Sequence, residues 1–210
     1  MVGGEAARGQ RGIGPRRPPL DARVRFLYGM PTMRRRTLPE IQMAASLLRQ
    51  RGGLPASSPI LNAADLARTA TSLRVYQRPL PLGIRGLLAS VGGRRPTLVV
   101  NARLPVVDRN VSAAHELGHW VLHLGATPDA GGRGERRRRE WEADRFALEL
   151  LLPETLVRRV LAERCCSAGT AAVRLGVRQT YLARRLRGLR LADQPFLRRG
   201  SPVRGFSDTT

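Results

Sequence analysis

The spacing of the histidines constrains the fold of this chain more than any other feature of its sequence. All three histidines of the 210 residues lie within nine positions, as His115, His119 and His123 in the stretch HELGHWVLH. Residues four apart stand one turn above each other on nearly the same face of an α-helix, because each residue advances about 100° around the axis and 1.5 Å along it. The sequence therefore predicts a helix here, with His115 and His119 pointing at one common spot.

The residue beside the first histidine indicates what chemistry this helix can carry. Glu116 projects next to the common spot without occupying it, and HELGH is a form of the pattern H-E-x-x-H. In that pattern two imidazoles bind a zinc ion and the glutamate acts as a general base on water. A catalytic zinc site normally has three protein ligands, so a further ligand has to come from elsewhere in the chain.

A candidate third ligand lies in the stretch REWEADRFALELLLP, residues 139–153. Glu140 and Asp144 are four residues apart on the predicted helix, and a glutamate about twenty residues beyond the second histidine, followed at i+4 by an aspartate, is typical of gluzincins. We interpret Glu140 as the third ligand, and Asp144 as the acceptor for the free ring N–H of a ligand histidine, whose tautomer it fixes. Glu142 is the rival ligand, but it lies about 200° around the helix from Glu140 and has no acidic residue at i+4.

His123 is not expected to bind the same ion. It stands about 12 Å along the axis from His115, which is too far for a shared ligand site on a straight helix. A metzincin would need a third histidine six residues beyond His119, and Gly125 occupies that position. We expect His123 to be a partly buried histidine packed beneath the site.

The two zinc segments together resemble a known family. NVSAAHELGHWVLH followed by EWEADRFALELLLP is similar to the ImmA/IrrE metallopeptidases, whose pattern joins an A-H-E-x-G-H helix to E-x-x-A-[ND]-x-F-A-x-x-L-L-x-P. Upstream, LGIRGLLASVGGRRPTLVVNARL resembles the family's strand pair, and downstream, AAVRLGVRQTYLARRLRGLRL resembles its small C-terminal helical portion. The resemblance covers roughly residues 38–191.

This resemblance implies an α+β fold of the minimal zincin type, in which a small three-stranded sheet packs on the HExxH helix and the helix that carries the glutamate ligand. It also implies a zinc endopeptidase whose substrate is a helix-turn-helix repressor. Glu116 would be the general base, and the zinc ligands would be His115, His119 and Glu140.

Changes in composition divide the chain into four parts. Residues 1–36 are rich in arginine, proline and glycine and are predicted to be a disordered arm, and residues 37–153 form the metallopeptidase core. Residues 154–191 are predicted to be a helical portion with the spacing of a helix-turn-helix, and residues 192–210 a flexible tail.

Within the core, apolar periodicity predicts a helix that begins at Leu38 and ends at two glycines, followed by three strands. The strands are SLRVYQRP, GIRGLLASV and TLVVNARL, of which the last is expected to offer an exposed edge to an extended substrate. The zinc helix is predicted at about Val111–Leu124, with Asn110 or Ser112 as its N-cap. A loop that includes the arginine-rich insert GGRGERRRR is expected to lead to the Glu140 helix.

The composition favours loose contact with polyanions over specific recognition of nucleic acid. The net charge is +21, and all 37 basic residues are arginine. Much of this charge lies in the arm, the insert and the tail, which look disordered, so we expect weak and salt-sensitive binding.

Other features bear on where the protein works. No apolar run approaches the roughly eighteen residues that a membrane span needs, and the N-terminal stretch has no apolar signal region, so we expect a cytoplasmic protein without a membrane partner. Cys165 and Cys166 are adjacent, which fits neither a disulfide framework nor a metal-binding pair. We expect both to be reduced.

Two rival functions remain open beside the endopeptidase. In one, the protein is a DNA-binding regulator with a structural or vestigial metal, and Arg184 and Arg185 on the second C-terminal helix contact DNA. In the other, it is a non-catalytic module that binds a repressor through the same groove. The resemblance favours C-terminal helices that close the peptidase core. No oxyanion-stabilising residue is evident, since spacing selects neither Tyr76 nor Tyr181.

Overall fold

The structure, a computed structural model, describes residues 35–89, 96–123, 132–163 and 167–191. Most of the predicted arm, the predicted tail and the two cysteines lie outside these ranges. In chain order the helices are α1 (Leu38–Arg51), α2 (Ala63–Ala70), α3 (Val106–His123), α4 (Gly132–Leu151), α5 (Glu154–Ala162), α6 (Ala168–Arg174) and α7 (Gln179–Gly188), and the strands are β1 (Arg74–Arg78), β2 (Gly86–Ala89) and β3 (Thr97–Asn101). The fold is α+β, as predicted. None of these described helices combines the length and apolarity that crossing a membrane requires.

The three predicted strands form one mixed sheet in the order β1-β3-β2. Strand β3 pairs in parallel with β1 and antiparallel with β2. The prediction that the stretch TLVVNARL offers the exposed edge is therefore wrong, because β3 is the central strand and the edges belong to β1 and β2. Its side chains explain the position: Leu98 and Val100 are fully buried, and a strand with a nearly continuous apolar run is typical of the middle of a sheet.

Helix α3 is the centre of the fold and begins earlier than predicted. It starts at Val106, after Pro105, whose carbonyl oxygen accepts the first backbone hydrogen bonds of the helix. The predicted caps Asn110 and Ser112 instead lie inside α3 and are buried. Proline can stand at the start of a helix because the backbone N–H that it lacks has no helical partner there.

Asn110 has a different structural role from the predicted cap. Its Oδ1 accepts a hydrogen bond from the backbone N of Ala63 at 2.8 Å, and its Nδ2 donates to the carbonyl oxygens of Ile60 and Gly176 at 2.7 and 3.0 Å. Asn110 therefore joins the start of α2 and the turn between α6 and α7 to the helix that carries the histidines.

The arginine-rich insert is helical where the structure describes it, so the prediction that it is a disordered loop is wrong for those residues. Helix α4 begins at Gly132 and continues through the insert to Leu151. Glu135 accepts hydrogen bonds from Arg138 and Arg139, three and four residues further on. Pairs at this spacing stabilise a helix and disperse the positive charge of its first turns.

The C-terminal helices pack onto the core. Arg185 on α7 is fully buried, and its guanidinium donates to both carboxylate oxygens of Glu149 on α4, at 2.6 and 2.5 Å, and to the carbonyl oxygen of Leu152. Leu182 is also fully buried in the common hydrophobic core. Arg185 is therefore unavailable to DNA, contrary to what the DNA-binding hypothesis requires of it.

Candidate metal centre

Helices α3 and α4 bring the three predicted metal ligands together. The Nε2 atoms of His115 and His119 lie 3.1 Å apart, and the Glu140 carboxylate oxygens lie 3.3 Å from the first and 3.5 Å from the second. One ligand atom from each residue lies within 4.8 Å of the others. Two imidazole nitrogens and one carboxylate oxygen are a donor set that zinc accepts at catalytic sites, so these residues fit the ion that the sequence implies.

A glycine inside the HELGH stretch permits this approach of the two helices. A Cβ added at Gly118 would lie 2.9 Å from both the Cα and the carbonyl oxygen of Ala143 on α4. Backbone atoms cannot move aside as a flexible side chain can, so any other residue would push α4 away from α3. Gly118 therefore helps to set the distance between the histidines and Glu140.

We expect Gly118→Ala to destabilise the protein by about 1–3 kcal/mol, because overpacking outweighs the roughly 1 kcal/mol that alanine gains over glycine in a helix. Urea unfolding measures this. Gly134→Ala on α4 is the matched control, since a Cβ there meets no atom within 4 Å, and it should be neutral or stabilising. Equal stability changes in the two variants would contradict the proposed role of Gly118.

Asp144 lies behind His115, on the side away from the other two candidate ligands. Its Oδ1 is 2.9 Å from His115 Nδ1, so the Nε2 of the same ring points at the common spot. Burial alone would lower the pKa of His115, but the hydrogen bond to Asp144 and the nearby carboxylates raise it above its usual value. Burial and the charge of His115 lower the pKa of His119.

Glu116 lies beside the ligand group and lines a cleft of about 430 Å³. Burial raises the pKa of its carboxyl above the usual range. Strand β2 presses onto the helix at this point, since a Cβ at Gly86 would come within 2.8 Å of Ser112 Oγ and 3.0 Å of Glu116 Cγ. The rest of the cleft is lined by Gly83, Ile84, Arg85, Val111, His115 and Asp144.

Glu142, the rival candidate for the third ligand, lies away from the metal centre. Glu142 is fully buried, and its Oε1 accepts hydrogen bonds from Arg138 Nη1 and from the backbone N of Arg36, both at 3.0 Å. Its nearest histidine is His123, with Nε2 3.6 Å from Glu142 Oε2. Glu142 and His123 therefore form a buried cluster of their own, apart from the three candidate ligands.

His123 packs beside the site as predicted, with its ring centroid 5.7 Å from that of His119, but it is buried and not only partly buried. Burial, together with the charges of His119 and Arg36, lowers the pKa of His123 to about 3. Arg36 itself was assigned to the N-terminal arm, yet its side chain is buried and donates to the carbonyl oxygen of Leu122 near the end of α3. The packed part of the chain therefore extends at least to Arg36.

Neither Tyr76 nor Tyr181 lines the cleft. Tyr76 is exposed on β1. Tyr181 on α7 packs against the core, and burial raises the pKa of its hydroxyl. One residue that the sequence analysis connected with DNA does reach the site, since Arg184 Nη1 lies 3.0 Å from Asp144 Oδ2. No local signal in the sequence indicates that contact, because the two residues are separated by 40 positions.

An α+β fold with HExxH on one helix and a glutamate from the next defines a chain of the zincin type. Residues 61–187 match the model of a peptidase family described as the IrrE N-terminal-like domain. The match covers more than half of the chain, which therefore belongs to this family, as the sequence predicted.

Solved structures show the same fold in a regulator. A Mycobacterium tuberculosis transcriptional regulator is similar to this chain with a TM-score of 0.53 and 19% sequence identity. The similarity covers 78% of this chain and 49% of the regulator, so the chain spans about half the length of that protein. The comparison with curated proteins gives no significant match.

Proposed function

We propose that this protein is a zinc-dependent endopeptidase that cleaves a helix-turn-helix transcriptional repressor. The observation that carries the proposal is the convergence of His115, His119 and Glu140 beside Glu116, at the side of an open cleft. A closed structural zinc site would have four protein ligands, whereas a catalytic site keeps one position for water or substrate. Three candidate ligands next to a cleft and to the Glu116 carboxylate fit a catalytic zinc site.

The side chains around the cleft have separable roles in the proposed reaction. When bound, zinc would supply positive charge that polarises the scissile carbonyl. Glu116 accepts a proton from the attacking water and passes it to the leaving amine nitrogen. Its raised pKa suits both transfers, because a carboxylate in a partly buried site is a stronger base than one in water. Asp144 holds the His115 ring with its Nε2 towards the metal position.

The outer edge of β2 is the surface that an extended substrate segment would join. This strand pairs only with β3 in the described sheet, and Gly86 at its start lies against Glu116. An unpaired edge offers backbone N–H and C=O groups that bind an extended peptide with little demand on its sequence. Residues 83–85 would then contact the side chains of the substrate, since they line the same cleft.

The support for a repressor as the substrate is the family together with the regulator whose fold this chain shares. The same likeness would suit a DNA-binding regulator, but Arg185 is buried and Arg184 is paired with Asp144. The remaining arginines would bind polyanions only weakly and in a salt-sensitive way.

The direct test uses purified protein reconstituted with zinc and a candidate repressor of the helix-turn-helix class. We expect a discrete cleavage of the repressor that stops when a chelator removes the metal and returns when zinc is restored. Mass spectrometry of the fragments identifies the bond. Tight binding of the repressor without cleavage would favour the non-catalytic module, and nanomolar site-specific DNA binding at physiological salt would favour the regulator.

A second experiment tests the metal ligands. We expect wild-type protein to bind about one zinc per chain, and Glu140→Ala to lose it, since two histidines alone leave the site without its third ligand. Elemental analysis after dialysis measures the zinc content. The control is Glu142→Gln, which keeps the shape of a buried side chain that the structure places away from the site. Equal retention of zinc in the two variants would contradict the assignment of Glu140.

A further inference from the structure

Three side chains from three different elements form a continuous hydrogen-bonded chain that ends at the metal centre. His115 Nδ1 on α3 lies 2.9 Å from Asp144 Oδ1 on α4. The other carboxylate oxygen, Oδ2, accepts a hydrogen bond from Arg184 Nη1 on α7 at 3.0 Å. Helix α7 belongs to the C-terminal portion whose spacing resembles a helix-turn-helix, so this portion contacts the group that orients a candidate ligand.

Asp144 needs a second contact to hold its orientation. About 39% of its side chain is exposed, and one hydrogen bond to His115 leaves the carboxylate free to rotate about its own axis into solvent. A guanidinium is a planar donor that fixes the oxygen it binds in both direction and distance. Arg184 therefore restrains the oxygen that His115 does not contact.

The position of Arg184 is itself fixed by its neighbour in the sequence. Arg185 is fully buried and donates to both oxygens of Glu149, five residues beyond Asp144 on the same helix. This contact ties α7 to α4 and presents Arg184 to Asp144 from an ordered backbone. An arginine anchored in this way loses less conformational freedom on pairing than one on a mobile surface.

We infer that Arg184 is a positioning residue of the metal site, which acts through Asp144 on His115. This inference rests on the proposed function, because it takes His115 to be a metal ligand. It gives α7 a role in metal binding that differs from reading DNA. The consequence is that metal affinity depends on a helix outside the two that carry the ligands.

The test measures zinc affinity by competition with a coloured chelator, on the full chain, at neutral pH. We expect Arg184→Ala to weaken zinc binding about 3- to 10-fold, less than the roughly 10- to 100-fold expected for Asp144→Ala. Arg184→Lys should weaken zinc binding less than Arg184→Ala, since lysine keeps the positive charge but lacks the planar guanidinium. Arg187→Ala on the exposed side of the same helix is the control and should bind zinc as tightly as the wild type.

A double variant separates positioning from a general effect on the fold. If Arg184 acts through Asp144, adding Arg184→Ala to Asp144→Ala should change the zinc affinity less than 2-fold further. Thermal unfolding of metal-free Arg184→Ala should match that of the metal-free wild type, because an exposed ion pair contributes little to folding.

Two results would overturn the inference and leave the proposed function standing. One is an Arg184→Ala variant with wild-type zinc affinity, and the other is a full additional loss in the double variant. A wild-type protein that binds no zinc would instead refute the proposed function, and this inference with it.

Discussion

Replacing Glu116 with glutamine should leave one zinc per chain and an unchanged fold, while it lowers the rate of repressor cleavage by about 100- to 10,000-fold. Glutamine keeps the size of the side chain but cannot accept a proton from water at neutral pH. Glu116 is outside the group of candidate ligands, so the charge of the carboxylate is not needed to hold the metal. Timed cleavage assays and elemental analysis of the same sample measure the two quantities together.

The control for this variant is Glu154→Gln on α5, where the carboxylate is about half exposed and pairs with Arg158. It should cleave at the wild-type rate. If Glu116→Gln cleaves as fast as the control, Glu116 is not the base. If it loses zinc as well, its effect on cleavage reports metal binding, and the assignment of Glu116 as the base loses its support.

The candidate site was predictable from the sequence because it depends on local spacing within two helices. An interval of four residues places His115 and His119 on one face whatever the rest of the chain does. The same interval of four residues separates Glu140 from Asp144. Glu142 lies about 200° around the helix from Glu140, so the two could not be predicted to bind the same ion. Tertiary structure had only to bring the two helices side by side, which the apolar faces and Gly118 achieve.

The predictions that were wrong depend on contacts between distant parts of the chain. The apolar run of TLVVNARL favours a buried strand, but it does not say which strands pair on either side of it, and that pairing sets the strand order. The start of α3 was misplaced because Asn110 has the character of a cap, yet its side chain binds groups at residues 60, 63 and 176. The rival DNA-binding hypothesis for Arg184 and Arg185 also depended on such contacts, because their partners Asp144 and Glu149 lie 40 and 36 positions away in the sequence.

Replacing Glu149 with alanine should destabilise the protein by about 3–5 kcal/mol, the usual cost of leaving one partner of a buried ion pair without the other. Arg185 is fully buried, and Glu149 accepts from it at 2.6 and 2.5 Å and also lies 3.0 Å from Arg145 Nη2. Without the carboxylate, the guanidinium keeps only the carbonyl oxygen of Leu152 among these contacts. Urea unfolding monitored by tryptophan fluorescence gives the free energy.

Two further variants show whether this loss belongs to the buried pair. Glu154→Ala breaks the exposed pair with Arg158 and should cost no more than about 0.5 kcal/mol. The double change Glu149→Met with Arg185→Leu removes both members of the buried pair and should recover part of the lost stability, because apolar side chains of similar volume can replace a buried ion pair at little cost. The recovery stays incomplete because Arg145 still loses its contact with Glu149. A Glu149→Ala variant as stable as Glu154→Ala would mean that α7 does not depend on this pair for its docking. If the loss is large, zinc affinity should fall in Glu149→Ala as well, since α7 then no longer holds Arg184 against Asp144.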